Sequence, residues 1–257
     1  MSRLVLGVQP VREAIRVHKH AIEKVLINIV APSNGRENVT LQRLADFARG
    51  FQIEVVPASR ARLDSLTKNA MHQGVIAYAP PLKLLPLDQW LQPAPSLAMC
   101  LDRINDPQNF GAIIRSSVAF GAASILWPEH DSAPLSPATF RASAGAVEHA
   151  RLCRVNALPT VLTMAQDSQM QVIGLAGDAD TELSQLDLTA PTMLVVGAEA
   201  TGLRKSVRHA CSQLARLPTM APLTTLNASV SAAVALYEVR RQRLQSASTT
   251  DNTINNQ

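Results

Sequence analysis

The chain is short of the features that would mark a membrane protein, a disulfide scaffold or a metal site. No apolar run reaches the roughly 18 residues that a membrane span needs. The N-terminal stretch MSRLVLGVQPVREAIR acquires Gln9, Arg12 and Glu13 where a signal peptide would continue its apolar region. There are three cysteines, Cys100, Cys153 and Cys211, far apart and with no CxxC spacing. They imply neither a disulfide framework nor zinc and read as small core residues, so no metal is expected. No strand leads into a GxGxxG loop and no GxxxxGK[ST] loop occurs, so the two common glycine-rich ways of holding a nucleotide are missing. There is no internal repeat. A cytoplasmic protein with no membrane partner is expected.

What is present suits packed globular domains. The 257 residues are 47% hydrophobic and 17% charged, and the length favours two domains. The net charge of +4 is uneven. Residues 1–80 carry 11 Lys and Arg against 6 Asp and Glu, whereas residues 81–257 carry 13 against 14. A basic first third fits attraction to a polyphosphate backbone, and it also falls within ordinary surface variation.

Residues 1–80 alternate helical and strand patterns. VQPVREAIR and LQRLADFARG have helical spacing, while KVLINIV, FQIEVVP and GVIAYA read as strands of a small α/β unit. Residues 80–96 hold five of the 16 prolines, so 81–96 reads as a linker with at most a short helix near Leu87–Leu91. In residues 97–245, LAMCLDRI, SILWP, QVIGLAG, TMLVVGAE and ARLPT are short apolar runs separated by helical stretches. That alternation predicts a parallel sheet covered on both faces. A last helix is expected from Asn227 to about Leu244, and the polar residues 246–257 are expected to be a disordered tail.

Three polar clusters follow strands in the second half. In DRINDPQNFGAIIRSS, Asn109 can cap a helix, Gly111 permits close backbone approach, and Arg115 lies one turn further on. In LVVGAEATGLRKSV, an apolar strand stops at Gly197 and Glu199 projects from a tight loop. In LPTMAPLTTLNASVSAAV, a loop leads through Asn227 and Ser229 into the last helix. Each cluster alone suits an ordinary strand–loop–helix junction. Together they would gather at the carboxyl ends of the strands, where open α/β sheets bind ligands.

The spacings Asn109-x-Gly111-x-x-x-Arg115, Gly197-x-Glu199-x-x-Gly202 and Leu226-Asn227-x-Ser229, in this order, resemble the three motifs of the SpoU (TrmH) RNA methyltransferases. LGVQPVREAI, MHQGVIA, GLAGDADTEL and ALYEVRRQR resemble the subgroup that methylates a guanosine ribose in large-subunit ribosomal RNA. The likeness spans about residues 4–243. It implies a SPOUT-type parallel sheet with a deep trefoil knot over 97–245, preceded by an L30e-like RNA-binding domain over 1–80. It also implies S-adenosyl-L-methionine as cofactor, structured RNA (23S rRNA) as substrate and a homodimer. Carried over, Gly197, Ala198, Leu217, Met220, Leu226 and Asn227 would hold the cofactor. Arg115 would act on the 2′-hydroxyl, and Asn109, Glu199, Asn227 and Ser229 would position it. An arginine of ordinary basicity is a poor base, so Arg115 needs a special environment or an RNA phosphate beside it.

The chain departs from the pattern at Ala200 and Ala221, which stand for glycines, at Thr219, which stands for methionine, and at Thr225, which stands for serine. Two alternatives stay open at this level. One is an RNA-binding protein of the same fold that has lost cofactor binding, and the other is a small-molecule enzyme of doubly wound type. Some residues also have plainer readings: His72 as an exposed loop histidine, Met220 and Trp127 as packing, and Arg240, Arg241 and Arg243 as a solvated helix end instead of a phosphate grip.

Overall fold

Short β-branched and aliphatic runs become strands, and the amphipathic stretches between them become helices that cover the resulting sheets. The computed structural model describes residues 2–28, 35–122, 124–222 and 225–254. In chain order the main elements are β1 (Arg3–Leu6), α1 (Val8–His18), β2 (Lys24–Ile27), α2 (Gly35–Gly50), β3 (Val55–Pro57), α3 (Arg60–Thr67) and β4 (Val75–Ala79). These are followed by β5 (Leu97–Asp102), α4 (Pro107–Ala119), β6 (Ser124–Pro128), α5 (Pro137–Ala142), β7 (Arg151–Val155), α6 (Leu158–Asp167) and β8 (Gln171–Leu175). The chain ends with β9 (Thr192–Gly197), α7 (Lys205–His209), β10 (Gln213–Ala215) and α8 (Ala228–Ile254). No helix among the described residues is long and apolar enough to cross a membrane.

The chain forms two compact units. The first comprises residues 1–83 together with 135–149. Its four-stranded sheet has the order β1-β4-β2-β3, antiparallel except for the β2–β3 pair. Val11, Ala14 and Ile15 of α1 and Leu44, Ala45 and Ala48 of α2 pack on one face, with Val25, Ile27 and Val75. Leu63 of α3 covers Leu26 and Ile76 on the other. The sequence reading did not include β1.

His72 differs from the expected exposed loop histidine. It is only 5% exposed, its Nδ1 accepts from the Gly74 N–H (3.0 Å), and its Nε2 lies 2.8 Å from Asp64 Oδ1. With Nδ1 accepting, the ring proton sits on Nε2, which donates to Asp64. Elsewhere in this unit, the Glu148 side chain is almost wholly buried and ion-paired to Arg3, with His18 Nε2 at 2.9 Å. Removing one member of such a pair leaves a buried, uncompensated charge. Glu148→Ala should therefore lower stability by about 3 kcal/mol and Glu148→Gln by distinctly less, read by urea unfolding. Equal, negligible losses would show that the pair contributes nothing.

The second unit comprises residues 84–134 and 150–257. Its six strands run in the order β10-β8-β9-β5-β6-β7, every neighbouring pair parallel. β5 is buried along its whole length, as a parallel strand covered on both faces should be. Trp90 and the apolar faces of α6 and α7 pack on one face, against Ala98, Cys100, Val172 and Val195. On the other side α8 packs on β9 and α4 on α8.

Two segments differ from the sequence expectation. From Leu84 onward the proline-rich stretch packs into this unit. Leu84 bridges Leu152, Trp90 is fully buried, and the Arg151 guanidinium binds carbonyls of Gln89, Trp90, Gln92 and Pro93. Those carbonyls would otherwise need water, so the segment is fixed in place. The last helix also continues past Leu244 to Ile254, through residues that include neither Pro nor Gly. Residues 255–257 of the expected tail lie outside the described residues.

Candidate functional site

The parallel sheet changes direction at β5. From β5 the chain steps outward to β6 and β7, then returns to fill the other side with β8, β9 and β10. Ligands of open α/β sheets bind outside the carboxyl ends at such a switch point. Here that point lies between β5 and β9, whose last residues, Asp102 and Gly197, face each other in register.

Gly197 is required by crowding. A Cβ there would stand 2.3 Å from the carbonyl carbon of Gly202 and 2.5 Å from Leu203 N, because the loop after β9 folds straight back. The fold-back is closed by the Gly202 N–H donating to the Ala198 carbonyl at 2.8 Å. It is stapled from below by Asp102, fully buried, which accepts from the Arg204 backbone N–H (2.8 Å) and from Arg204 Nε (2.7 Å). Sequence reading did not find this staple.

Glu199 rises from the folded-back loop and draws the three polar clusters together. Its Oε1 accepts from Asn109 Nδ2 at 2.6 Å, from Asn227 Nδ2, and from the Ala228 N–H at 3.4 Å. Asn109 stands in the first turn of α4, whose N-cap is Asp106, and Asn227 precedes α8. The other side of Asn227 caps α8: Oδ1 accepts from the Ser229 N–H (2.8 Å) and the Ser229 hydroxyl (2.6 Å). One carboxylate oxygen thus ties together three loops that lie far apart in sequence.

Beside this cluster of hydrogen bonds lies an open cleft of about 140 Å³ at the ends of β8, β9 and β10. Leu175, Ala176 and Gly177 line it, as do Val196, Gly197, Ala198, Glu199 and Gly202. Ala215, Leu217, Thr219, Thr225, Leu226, Ala228 and Ser231 complete the described lining. Among these residues Glu199 alone is charged. Of the residues expected at a cofactor, Gly197, Ala198, Leu217 and Leu226 line the cleft. Asn227 lies beside it through Glu199. Met220 is apart, 87% exposed and outside the described lining. The wall at Leu175–Gly177, within the GLAGDADTEL segment, and Ser231 were not named as site residues from sequence.

Arg115 is exposed on α4 and has no hydrogen-bond or ion-pair partner among the described residues. Other cations nearby are engaged. Arg208 holds Asp178 through two hydrogen bonds, which keep that carboxyl below its usual range. Arg216 binds the Ala179 and Asp180 carbonyls and Glu182. On α8, Arg243 is spent on the carbonyls of Ser96, Leu188 and Ala190, and Arg241 on Glu238. Of the expected arginine cluster, Arg240 is left exposed and without a hydrogen-bond or ion-pair partner among the described residues.

The thiols are unreactive by placement. Burial pushes Cys153 up to about 11 and Cys211 to about 12, and raises Cys100 further. No cluster of three or more His, Cys, Asp or Glu able to hold a metal occurs among the described residues.

Comparison with known proteins places this geometry. Residues 4–85 match the model of the RNA 2′-O ribose methyltransferase substrate-binding family. A curated "uncharacterized tRNA/rRNA methyltransferase" from Mycolicibacterium vanbaalenii is 38% identical over 94% of this chain and 77% of its own length. The 23S rRNA (guanosine-2′-O-)-methyltransferase RlmB of Pseudomonas syringae pv. tomato is 34% identical over 95% of this chain and 98% of its own. Among solved structures, the SpoU methyltransferase AviRb of Streptomyces viridochromogenes superposes with a TM-score of 0.75 at 25% identity, covering 95% of this chain and 91% of that one. AviRb has also been crystallised with the cofactor AdoMet. With residues 96–237 matching the SpoU rRNA methylase model as well, the chain belongs to the SpoU rRNA methylase family.

Proposed function

We propose that the protein methylates a ribose 2′-hydroxyl of a guanosine in large-subunit ribosomal RNA, using S-adenosyl-L-methionine, in the cytoplasm and as a homodimer. The observation that carries the reading is the Glu199 junction at the mouth of the cleft. It brings Asn109, Glu199 and Asn227 to one place, with Arg115, which has no partner among the described residues, on the same helix as Asn109. The likeness to RlmB supports the ribosomal guanosine.

The cleft fits S-adenosyl-L-methionine better than a polyphosphate nucleotide. Its described lining holds no Lys or Arg to neutralise phosphates and one carboxylate that suits a sulfonium cation. Leu175, Leu217 and Leu226 would take the apolar face of an adenine, and the main chain at Gly197–Ala198 its polar edge. When bound, the cofactor supplies an already activated methyl group. The protein's part is then alignment: Glu199 fixes the loops, Asn227 and Ser229 start α8 at the cleft, and Arg115 holds the target ribose through its hydroxyl and adjoining phosphate.

Ala200 and Ala221 are both exposed and outside the described lining, which favours an active enzyme over an RNA-binding relic. For the homodimer, α8 exposes Val230, Val234 and Tyr237 along one face, and Tyr237 meets Phe120 of α4 edge-on.

Incubation with tritiated S-adenosyl-L-methionine and in vitro transcribed bacterial 23S rRNA tests the reading. Label in an alkali-resistant dinucleotide is expected. No transfer to RNA together with no cofactor binding by calorimetry would overturn it.

A further inference from the structure

The loop joining α3 to β4, residues 68–74, is held at nearly every position yet offers one large apolar side chain to solvent. Lys68, Asn69 and Gln73 take left-handed φ angles of 52°, 60° and 51°, a region that costs non-glycine residues free energy. Each bend is fastened. The N–H groups of Asn69 and Ala70 return to the carbonyls of Asp64 and Thr67. His72 is buried beneath, bonded to Asp64 and the Gly74 N–H. Gln73 Oε1 accepts from the Val8 N–H at 2.9 Å, so the loop also caps α1. On this scaffold Met71 is 73% exposed, with the Lys68 and Asn69 side chains exposed as well.

The Lys68 bend ends α3 and Gln73 caps α1, so the loop is fixed by its neighbours, yet none of these contacts requires the exposed Met71. A prefixed loop also loses little further freedom on binding. We propose that residues 68–73 are an RNA-docking platform, in which Met71 lies against the face of an unpaired base and Lys68 meets the adjoining phosphate. The proposal rests on the RNA methyltransferase reading above. The basic balance of residues 1–80 and the substrate-binding match over 4–85 favour RNA over a second copy of the chain. An unpaired base is favoured over a duplex because only an unstacked base exposes its face, against which a flexible, polarisable thioether can lie.

The test uses the full-length protein, in vitro transcribed 23S rRNA and tritiated S-adenosyl-L-methionine. Met71→Ala should raise the KM for RNA about tenfold, with kcat and cofactor affinity unchanged, and Met71→Leu should stay within about twofold of wild type. Lys68→Ala should weaken RNA binding and lower the slope of its salt dependence by about one. Filter binding of the same transcript reads the platform without catalysis. If Met71→Ala and Met71→Glu bind the transcript as wild type does, the platform is wrong. It is equally wrong if Met71→Glu changes subunit association and RNA affinity merely follows. A wild-type protein that binds the transcript through Met71 but transfers no methyl group would sink the enzyme reading and leave the platform standing.

Discussion

Replacing Arg115 by alanine should lower kcat for methyl transfer about a thousandfold and leave cofactor affinity within about twofold. The guanidinium makes no hydrogen bond or ion pair among the described residues, and Arg115 is outside the described lining of the cleft. Its removal therefore frees no buried partner and opens no cavity, and Tm should not move. Standing on the helix that carries Asn109 to Glu199, the side chain is free to act on the substrate. Arg115→Lys should recover little, since an ammonium cannot reproduce the planar two-pronged contact with a phosphate or ribose oxygen. Single-turnover kinetics with 23S rRNA transcript and calorimetry with S-adenosyl-L-methionine separate the two effects. Full activity in Arg115→Ala would remove this residue from the chemistry altogether.

The second large effect is expected at Gly197, where alanine should weaken cofactor binding about a hundredfold or more and cost roughly 2 kcal/mol of stability. The added methyl would sit 2.3 Å from a backbone carbon of Gly202, and backbone cannot turn away as a flexible side chain can. Relief requires breaking the Gly202–Ala198 hydrogen bond, which shifts Glu199 away from Asn109 and Asn227 and moves a wall of the cleft. Gly50→Ala is the matched control: a Cβ there meets nothing within 4 Å. Equal calorimetric titrations for the two variants would show that the fold-back does not shape the cofactor site.

The candidate site was legible through the joint spacing of its three clusters, which resembles a known family, because each cluster alone suits an ordinary junction. Asn109, Glu199 and Asn227 each follow the end of an apolar strand, where a polar residue has a limited set of uses, and the structure joins all three through one carboxylate. Ser229 was also legible as a helix-start residue, and its hydroxyl does bond the capping Asn227. The staple of Asp102 on Arg204 left no such trace, since the partners are separated by 102 positions and neither has a distinctive neighbourhood. His72 does lie in a loop, as HQG suggests, and its burial went unread because its partner Asp64 stands on the preceding helix. β7 went unnoticed because its charged residues, Arg151 and Arg154, interrupt the apolar pattern of an edge strand. Met220, a position implied by resemblance, is turned outward in the loop after β10.

Residues 135–149 belong to the first unit although the chain on either side belongs to the second. The consequence concerns inheritance. A recombination event that traded the first 83 residues as a cassette would carry off Arg3 and His18 and leave Glu148 behind with a foreign surface to satisfy. A new RNA-reading unit can be grafted onto this enzyme only if it matches that retained stretch, or brings its own. Specificity in such a lineage should therefore drift by point substitution at exposed loops and seldom by exchange of whole modules.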